Sequence, residues 1–273
     1  MGVLVPARRD VAVIRLQHGS ANAIDEAFLS GLNQALDAIP PDVGVVITGT
    51  GRFFSVGLNL KEVYPLSREA MGAFMARFIA TLRRVLTWPA PTVAALNGHT
   101  LGGGFLLALA CDRRLVLPGM KARIGFPDVE EQVPLSHSLR LMAQHALPAD
   151  MTYLVNGRGE NFTPEEAARR GLVEMVAGSR FHVEGGRRAG NIGLAGSGDP
   201  NQGPMVDLPP VTYHAVAWAA EQPMDYAERK TQRLKPLLAQ LDALGEEDIE
   251  HFLDQWFAPA TRAAFGRVWE RLT

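Results

Sequence analysis

Asn97-Gly-His-Thr-Leu-Gly-Gly-Gly-Phe-Leu-Leu107 is the stretch that decides the fold. It follows Thr92-Val-Ala-Ala-Leu96, a short apolar run of strand character, and it opens an apolar helix that reaches Cys111. Arg113-Arg-Leu-Val-Leu117 then reads as the next strand. Strand, glycine-rich turn, helix and strand in this order predict an α/β architecture with a mainly parallel sheet.

The same alternation continues upstream. Val11-Ala-Val-Ile-Arg-Leu16 is rich in β-formers. Residues 25–38 carry Phe28, Leu29, Leu32 and Leu36 at helical spacing, with Asp25 as the N-cap. Val43-Gly-Val-Val-Ile-Thr48 is nearly all apolar, which suits a strand buried on both faces. Ser67 to Leu86 places Met71, Phe74, Met75, Phe78, Leu82 and Val85 on one stripe, and Pro89 and Pro91 stop that helix. Downstream, Thr163-Pro-Glu-Glu166 is a capping-box helix start that Gly171 ends.

A different composition begins at Gly178. Residues 178–205 are glycine-rich with almost no aliphatic periodicity and read as a mobile connection. Within them Gly190-Asn-Ile-Gly-Leu-Ala-Gly-Ser-Gly198 has the look of a phosphate loop, but no strand leads into it and no helix follows. From Val211 the pattern is helical, over about 212–220, 224–243, 246–256 and 260–271. The expected division is an α/β core over 1–205, including the glycine-rich segment, and a helical C-terminal region over 206–273.

Composition narrows the function. The chain has 273 residues, 47% hydrophobic and 21% charged, as globular proteins do. Lys and Arg number 27 against 29 Asp and Glu, so no basic surplus points to nucleic acid. The single cysteine, Cys111, excludes an intrachain disulfide and a cysteine-cluster zinc site. The opening MGVLVPARRD lacks the apolar core of a signal peptide. The longest apolar run, Phe105 to Cys111, is far below the ~20 residues that span a bilayer. A cytoplasmic protein with no membrane or nucleic-acid partner is expected.

Two segments carry chemistry: Gly51-Arg-Phe-Phe-Ser-Val-Gly-Leu-Asn-Leu-Lys61 and the quoted Asn97–Leu107. Each follows a strand. Their glycines let backbone approach a ligand closely. First-turn N–H groups of a helix have no internal acceptor, and two N–H groups converging on one point make an oxyanion hole. Either segment alone also reads as an ordinary tight turn.

Together, in this order, the two segments resemble the crotonase superfamily, the enoyl-CoA hydratase/isomerase family. Its pattern is Phe-Ser-x-Gly-x-Asp-Leu-Lys, then a strand, then Asn-Gly-x-x-x-Gly-Gly-Gly. The similarity continues through Ala110-Cys-Asp-Arg-Arg114, Ile124-Gly-Phe-Pro-Asp-Val129 and Phe162–Val173, and covers about residues 8–176. The resemblance implies a crotonase-like spiral core of ββα units with a C-terminal helical oligomerisation region. It implies an acyl-CoA thioester substrate, and a homotrimer or a dimer of trimers. Leu58 and Gly103 would supply the two oxyanion N–H groups. Leu58, Asn59, Leu60 and Lys61 would line the thioester and pantetheine path. Asn59 stands where the family often has Asp.

The proton-transfer groups separate the reactions. Hydratases of the family usually carry two glutamates. At the first position this chain has Leu106, and at the second Asp128. One carboxylate with an oxyanion hole suits moving a double bond, and Δ3,Δ2-enoyl-CoA isomerases of the family resemble the chain at both places. Asp128 would be the proton shuttle, with Glu130 and Glu131 as local rivals and His99 and His137 as weaker candidates. The alternatives are a hydratase, hydrolase or lyase on the same fold, or an acyl-CoA-binding protein that has lost its chemistry. No metal and no redox cofactor is implied, since CoA arrives as part of the substrate.

Overall fold

The computed structural model describes residues 10–126, 134–156, 159–176, 191–193, 208–245 and 247–272. Among these, the first strand β1 (Val11–Arg15) is followed by α1 (Glu26–Asp37), β2 (Gly44–Thr48), β3 (Phe53–Ser55), α2 (Leu60–Val63) and α3 (Arg68–Leu86). Then come β4 (Thr92–Ala95), β5 (His99–Leu101), α4 (Gly103–Ala110), β6 (Arg113–Val116), β7 (Ile124–Gly125) and α5 (His137–Ala146). A 3-10 segment (Ala149–Val155), β8 (Asn161–Phe162), α6 (Pro164–Arg169), β9 (Glu174–Met175) and β10 (Asn191–Gly193) complete this part. The remainder is helical: α7 (Pro210–Ala220), α8 (Tyr226–Asp242), α9 (Glu247–Trp256) and α10 (Pro259–Leu272).

The strands divide between two sheets. One has the order β10-β1-β2-β4-β6-β9, parallel throughout. The other runs β3-β5-β7-β8, parallel except for the last pair. From β2 to β7 successive strands alternate between them. β2, β4 and β6 lie in the large sheet, and each is followed by a small-sheet strand and then by helix. The chain therefore winds as repeated ββα units. This winding brings the ends of β3, β5 and β7 side by side, although they are far apart in sequence.

Alternation along the central strands explains their burial. Ala12, Ile14, Val45, Ile47 and Ala94 face the main core, which α1, α3, α4 and α5 fill. Val11, Val13, Val46, Val93 and Ala95 face the other way, against Val211, Ala215 and Ala219 of α7. Gly44–Thr48 is buried at every position, as its two-sided apolar run requires. Asp25 caps α1 by accepting from the Phe28 N–H, and Thr163 with Glu166 forms the capping box on α6.

The glycine-rich segment departs from its reading in one place. Asn191–Gly193 is an edge strand, parallel to β1 in register with Val13–Arg15. A parallel partner lies far away in sequence, so local composition does not announce it. The rest of 178–205 and the boundary at 205/206 lie outside the described residues.

The C-terminal aromatic residues are used within the chain. Trp256 is buried against Phe252 and Phe265, and Trp269 stacks on Tyr64 at 5.6 Å between ring centres. Buried Asp248 of α9 caps α5, accepting from the His137 and Ser138 N–H groups. Among the described residues, no helix is long and apolar enough to cross a membrane.

Candidate active site

β3 and β5 pair in parallel through Phe53–His99 and Ser55–Thr100, so both glycine segments leave the small sheet at the same end. There they touch. Gly57 adopts φ +90°, and a β-carbon on it would stand 2.8 Å from the Gly103 nitrogen. A β-carbon on Gly104 would stand 2.6 Å from Ser55 Cβ, so α4 starts directly on the end of β3. Only glycine permits this contact. The sequence spacing shows no reason for the third glycine; the close approach does.

Two backbone hydrogen bonds frame Leu58. The Ile24 N–H donates to the Gly57 carbonyl at 2.7 Å, and the Asn59 N–H donates to the Ile24 carbonyl at 2.8 Å. The Leu58 N–H between them, like the Gly103 N–H at the head of α4, has no acceptor among the described residues. The positive end of α4 lies at the same point. Around Gly103 the walls are apolar, with Ile24 Cδ1 and Phe78 Cζ within 3.4 Å of where a β-carbon would stand. Leu106 lies within the wholly buried α4.

Asn59 begins α2 without capping it. Its side chain turns instead to Asp25, donating to Oδ2 at 3.0 Å. The same oxygen lies 2.9 Å from His18 Nε2, and Oδ1 accepts from the Phe28 N–H. A carboxylate only accepts, so His18 Nε2 carries the hydrogen. Burial raises the Asp25 carboxyl, but the bonds from Asn59, His18 and Phe28 outweigh it and hold the group below its ordinary value. Leu60 is half-buried against the core and Lys61 is exposed. Beside Asp25 a cavity of about 670 Å³ opens between α1, α2 and α3. Val63, Leu66, Ala70 and Phe74 line it, and Glu26 pairs with Arg77 at 3.0 Å at its edge.

The remaining candidates fall apart from this point or beyond view. Asp128, Glu130 and Glu131 lie outside the described residues. Gly125, three residues before Asp128, accepts the Gly102 N–H at 3.0 Å. His99 is a strand residue that accepts from the Arg123 N–H and packs on Phe53 at 5.3 Å. His137 is exposed at the start of α5 and stacks on His251 at 5.1 Å. Cys111 is buried; burial, with Asp112 beside it, pushes its thiol up to about 12, so it is inert. His18 and the bond between Asp25 and Asn59 escape a reading by motif. Their only local signal is the turn at Asn22, a buried non-glycine residue at φ 51° that holds the His18 N–H.

Two sheets exchanging strands in a ββα spiral, with a pair of glycine turns meeting at one end, define a crotonase-fold protein. The enoyl-CoA hydratase/isomerase family profile matches residues 7–187, and the chain belongs to that family. A probable enoyl-CoA hydratase of Bacillus subtilis is 33% identical over 178 residues, 63% of this chain and 68% of the relative. The structure of an enoyl-CoA hydratase/isomerase family protein from Pseudomonas syringae is similar with a TM-score of 0.69 at 26% identity, over 89% of this chain and 95% of that one. Human mitochondrial Δ3,Δ2-enoyl-CoA isomerase has a TM-score of 0.71 at 18% identity, covering 96% and 94%. At that identity the likeness speaks for the fold.

Proposed function

We propose that this family member is an enoyl-CoA isomerase that shifts a double bond along an acyl-CoA thioester. Leu58 and Gly103 offer their N–H groups to the thioester oxygen. Asp128 takes a proton from the α-carbon, the negative charge passes to the thioester oxygen as an enolate, and the same group returns the proton at the γ-carbon. Proton transfer alone balances this reaction, so the reading needs no metal or redox cofactor. Leu58 to Lys61 follow the thioester and pantetheine, and exposed Lys61 is available to the CoA phosphates.

The observation that carries the reading is Leu106. It occupies the α4 position where hydratases of the family hold a glutamate, and it is 5% exposed among apolar neighbours. A leucine delivers no proton to a second carbon. Support for the shared half of the chemistry comes from the contact between Gly57 and Gly103. Gly125, which precedes Asp128 by three residues in the sequence, accepts the Gly102 N–H next to that contact.

Hydration is the second reading, favoured by the name of the Bacillus subtilis relative. The two separate in one assay that compares isomerisation of a 3-enoyl-CoA with hydration of a 2-enoyl-CoA. Dominant isomerisation is expected. Asp128→Ala should lower it by about a hundredfold or more, as loss of a general base does. Isomerisation persisting at near full rate in that variant would sink the base assignment. Tight acyl-CoA binding without turnover would point to a binding protein. The same reading takes the molecule as a cytoplasmic homotrimer or dimer of trimers, which light scattering checks.

A further inference from the structure

We infer that the side-chain bond from Asn59 to Asp25, braced by His18, sets the position of the Leu58 N–H, so that Asn59 and Asp25 are positioning residues for the oxyanion site. The inference rests on the reading of Leu58 as an oxyanion donor.

Leu58 sits in an isolated parallel bridge to Ile24, outside the regular sheet. Its backbone is held by one hydrogen bond on each side, with no ladder beyond them to stiffen it. Asn59 is then held at two points: its carbonyl accepts from the Glu62 and Val63 N–H groups at 2.9 Å, and its side chain bonds Asp25 at 3.0 Å, the link that ties it back to α1. Asp25 is a rigid anchor. Its two oxygens accept from Phe28, His18 and Asn59, and its side chain is 13% exposed. His18 is fixed in turn by its own N–H bond to Asn22 Oδ1 at 2.8 Å. Two short contacts therefore close a loop around Leu58: backbone to Ile24, side chain to Asp25. An N–H aimed at a developing charge contributes only where it is held in place beforehand.

The charges at 25 and 59 match as a pair. An amide donates to a carboxylate. A carboxylate at 59, the residue that the family often has there, would meet the Asp25 carboxylate at the same distance, and two such groups cannot both stay ionised. They would part, and Leu58 would move with them. Carboxylate and amide in exchanged places would restore the bond.

The test compares wild type, Asn59→Asp, Asp25→Asn and the exchanged pair Asp25→Asn/Asn59→Asp. One readout is kcat and KM on a 3-enoyl-CoA. The other is the infrared carbonyl frequency of a bound saturated acyl-CoA labelled with carbon-13 at the thioester. Asn59→Asp should lower kcat about tenfold or more, because sub-ångström misplacement is costly. KM should change less, and the carbonyl should return toward its frequency in water. The exchanged pair should recover both readouts. Unchanged kcat and frequency in Asn59→Asp, or no recovery in a folded exchanged pair, overturns the inference while leaving the functional reading standing. If Asn59→Asp does not fold, Asn59→Leu breaks the bond without adding charge, and wild-type values there overturn the inference equally. A wild type that neither turns over enoyl-CoA nor shifts the carbonyl overturns the functional reading itself, and the inference with it.

Discussion

Lys230 and Asp112 form an ion pair at 2.7 Å with side chains only 3% and 4% exposed, which pins α8 to the turn between α4 and β6. The carboxylate also accepts from the Thr92 N–H and hydroxyl and from Arg233 at the surface. Burial depresses the Lys230 ammonium and Asp112 opposes that shift. Removing one partner of a buried pair strands the other charge at a cost of about 3–5 kcal/mol. Lys230→Met keeps length and apolar character but leaves Asp112 with Arg233, Thr92 and the Tyr226 hydroxyl. A loss of about 3 kcal/mol in urea unfolding is expected. A loss below about 1 kcal/mol would mean that Arg233, Thr92 and the Tyr226 hydroxyl together satisfy the carboxylate.

Asp25 gives the molecule an acid limb. Its folded carboxyl ionises at lower pH than in the unfolded chain, because the bonds from Asn59, His18 and Phe28 outweigh its burial. Between those two values the unfolded state binds more protons, so stability rises with pH there. The contribution is complete above the unfolded value and disappears as pH falls through the folded one. Asp25→Asn still caps α1 and does not titrate. Unfolding midpoints between about pH 5 and pH 2 should therefore fall less steeply in Asp25→Asn than in wild type. Parallel acid limbs would remove Asp25 as their source.

Gly57→Ala and Gly104→Ala strike the same contact from its two sides. At Gly57 the added carbon combines a positive φ with a 2.8 Å approach to the Gly103 nitrogen. At Gly104 it meets Ser55 on β3. Overpacking of this kind costs about 1–3 kcal/mol. The Gly57 variant should in addition lose about a hundredfold in turnover, because the shift falls on the two donors themselves. Equal stability loss and full activity in Gly57→Ala would separate the glycine contact from catalysis.

The glycine turns, the strands beside them and the helix periodicity were all legible along the chain, because each is a local requirement written in consecutive residues. Gly57, Gly103 and Leu58 meet because β3 pairs with β5, and the spacing of the two motifs contains that pairing only through the family likeness. The rest depends on distant partners. Asn59 finds Asp25 across 34 residues, and Asp248 caps α5 from more than 100 residues away. β10 reaches the sheet edge from inside a segment whose composition suggests only a loop. Neither periodicity nor capping patterns register such partners, which are fixed only when the spiral closes.

The C-terminal helix reaches back to the element that carries the candidate site. Arg262 of α10 places its guanidinium 3.7 Å above the Tyr64 ring and donates to the Tyr64 carbonyl at 2.8 Å. The Tyr64 hydroxyl donates to the Arg262 carbonyl at 3.1 Å. Tyr64 ends α2, and α2 begins two residues after Leu58. Arg262→Met removes the cation–π contacts with Tyr64 and Phe257 and one hydrogen bond, about 1–2 kcal/mol of local restraint. Tyr64→Phe keeps the ring under the guanidinium and gives up only the hydroxyl bond, so its effect should be smaller. Hydrogen exchange should quicken in α10 and in residues 60–66 of Arg262→Met, and KM for an acyl-CoA should rise with it. Faster exchange in α10 alone would show that the helix covers α2 without steadying it.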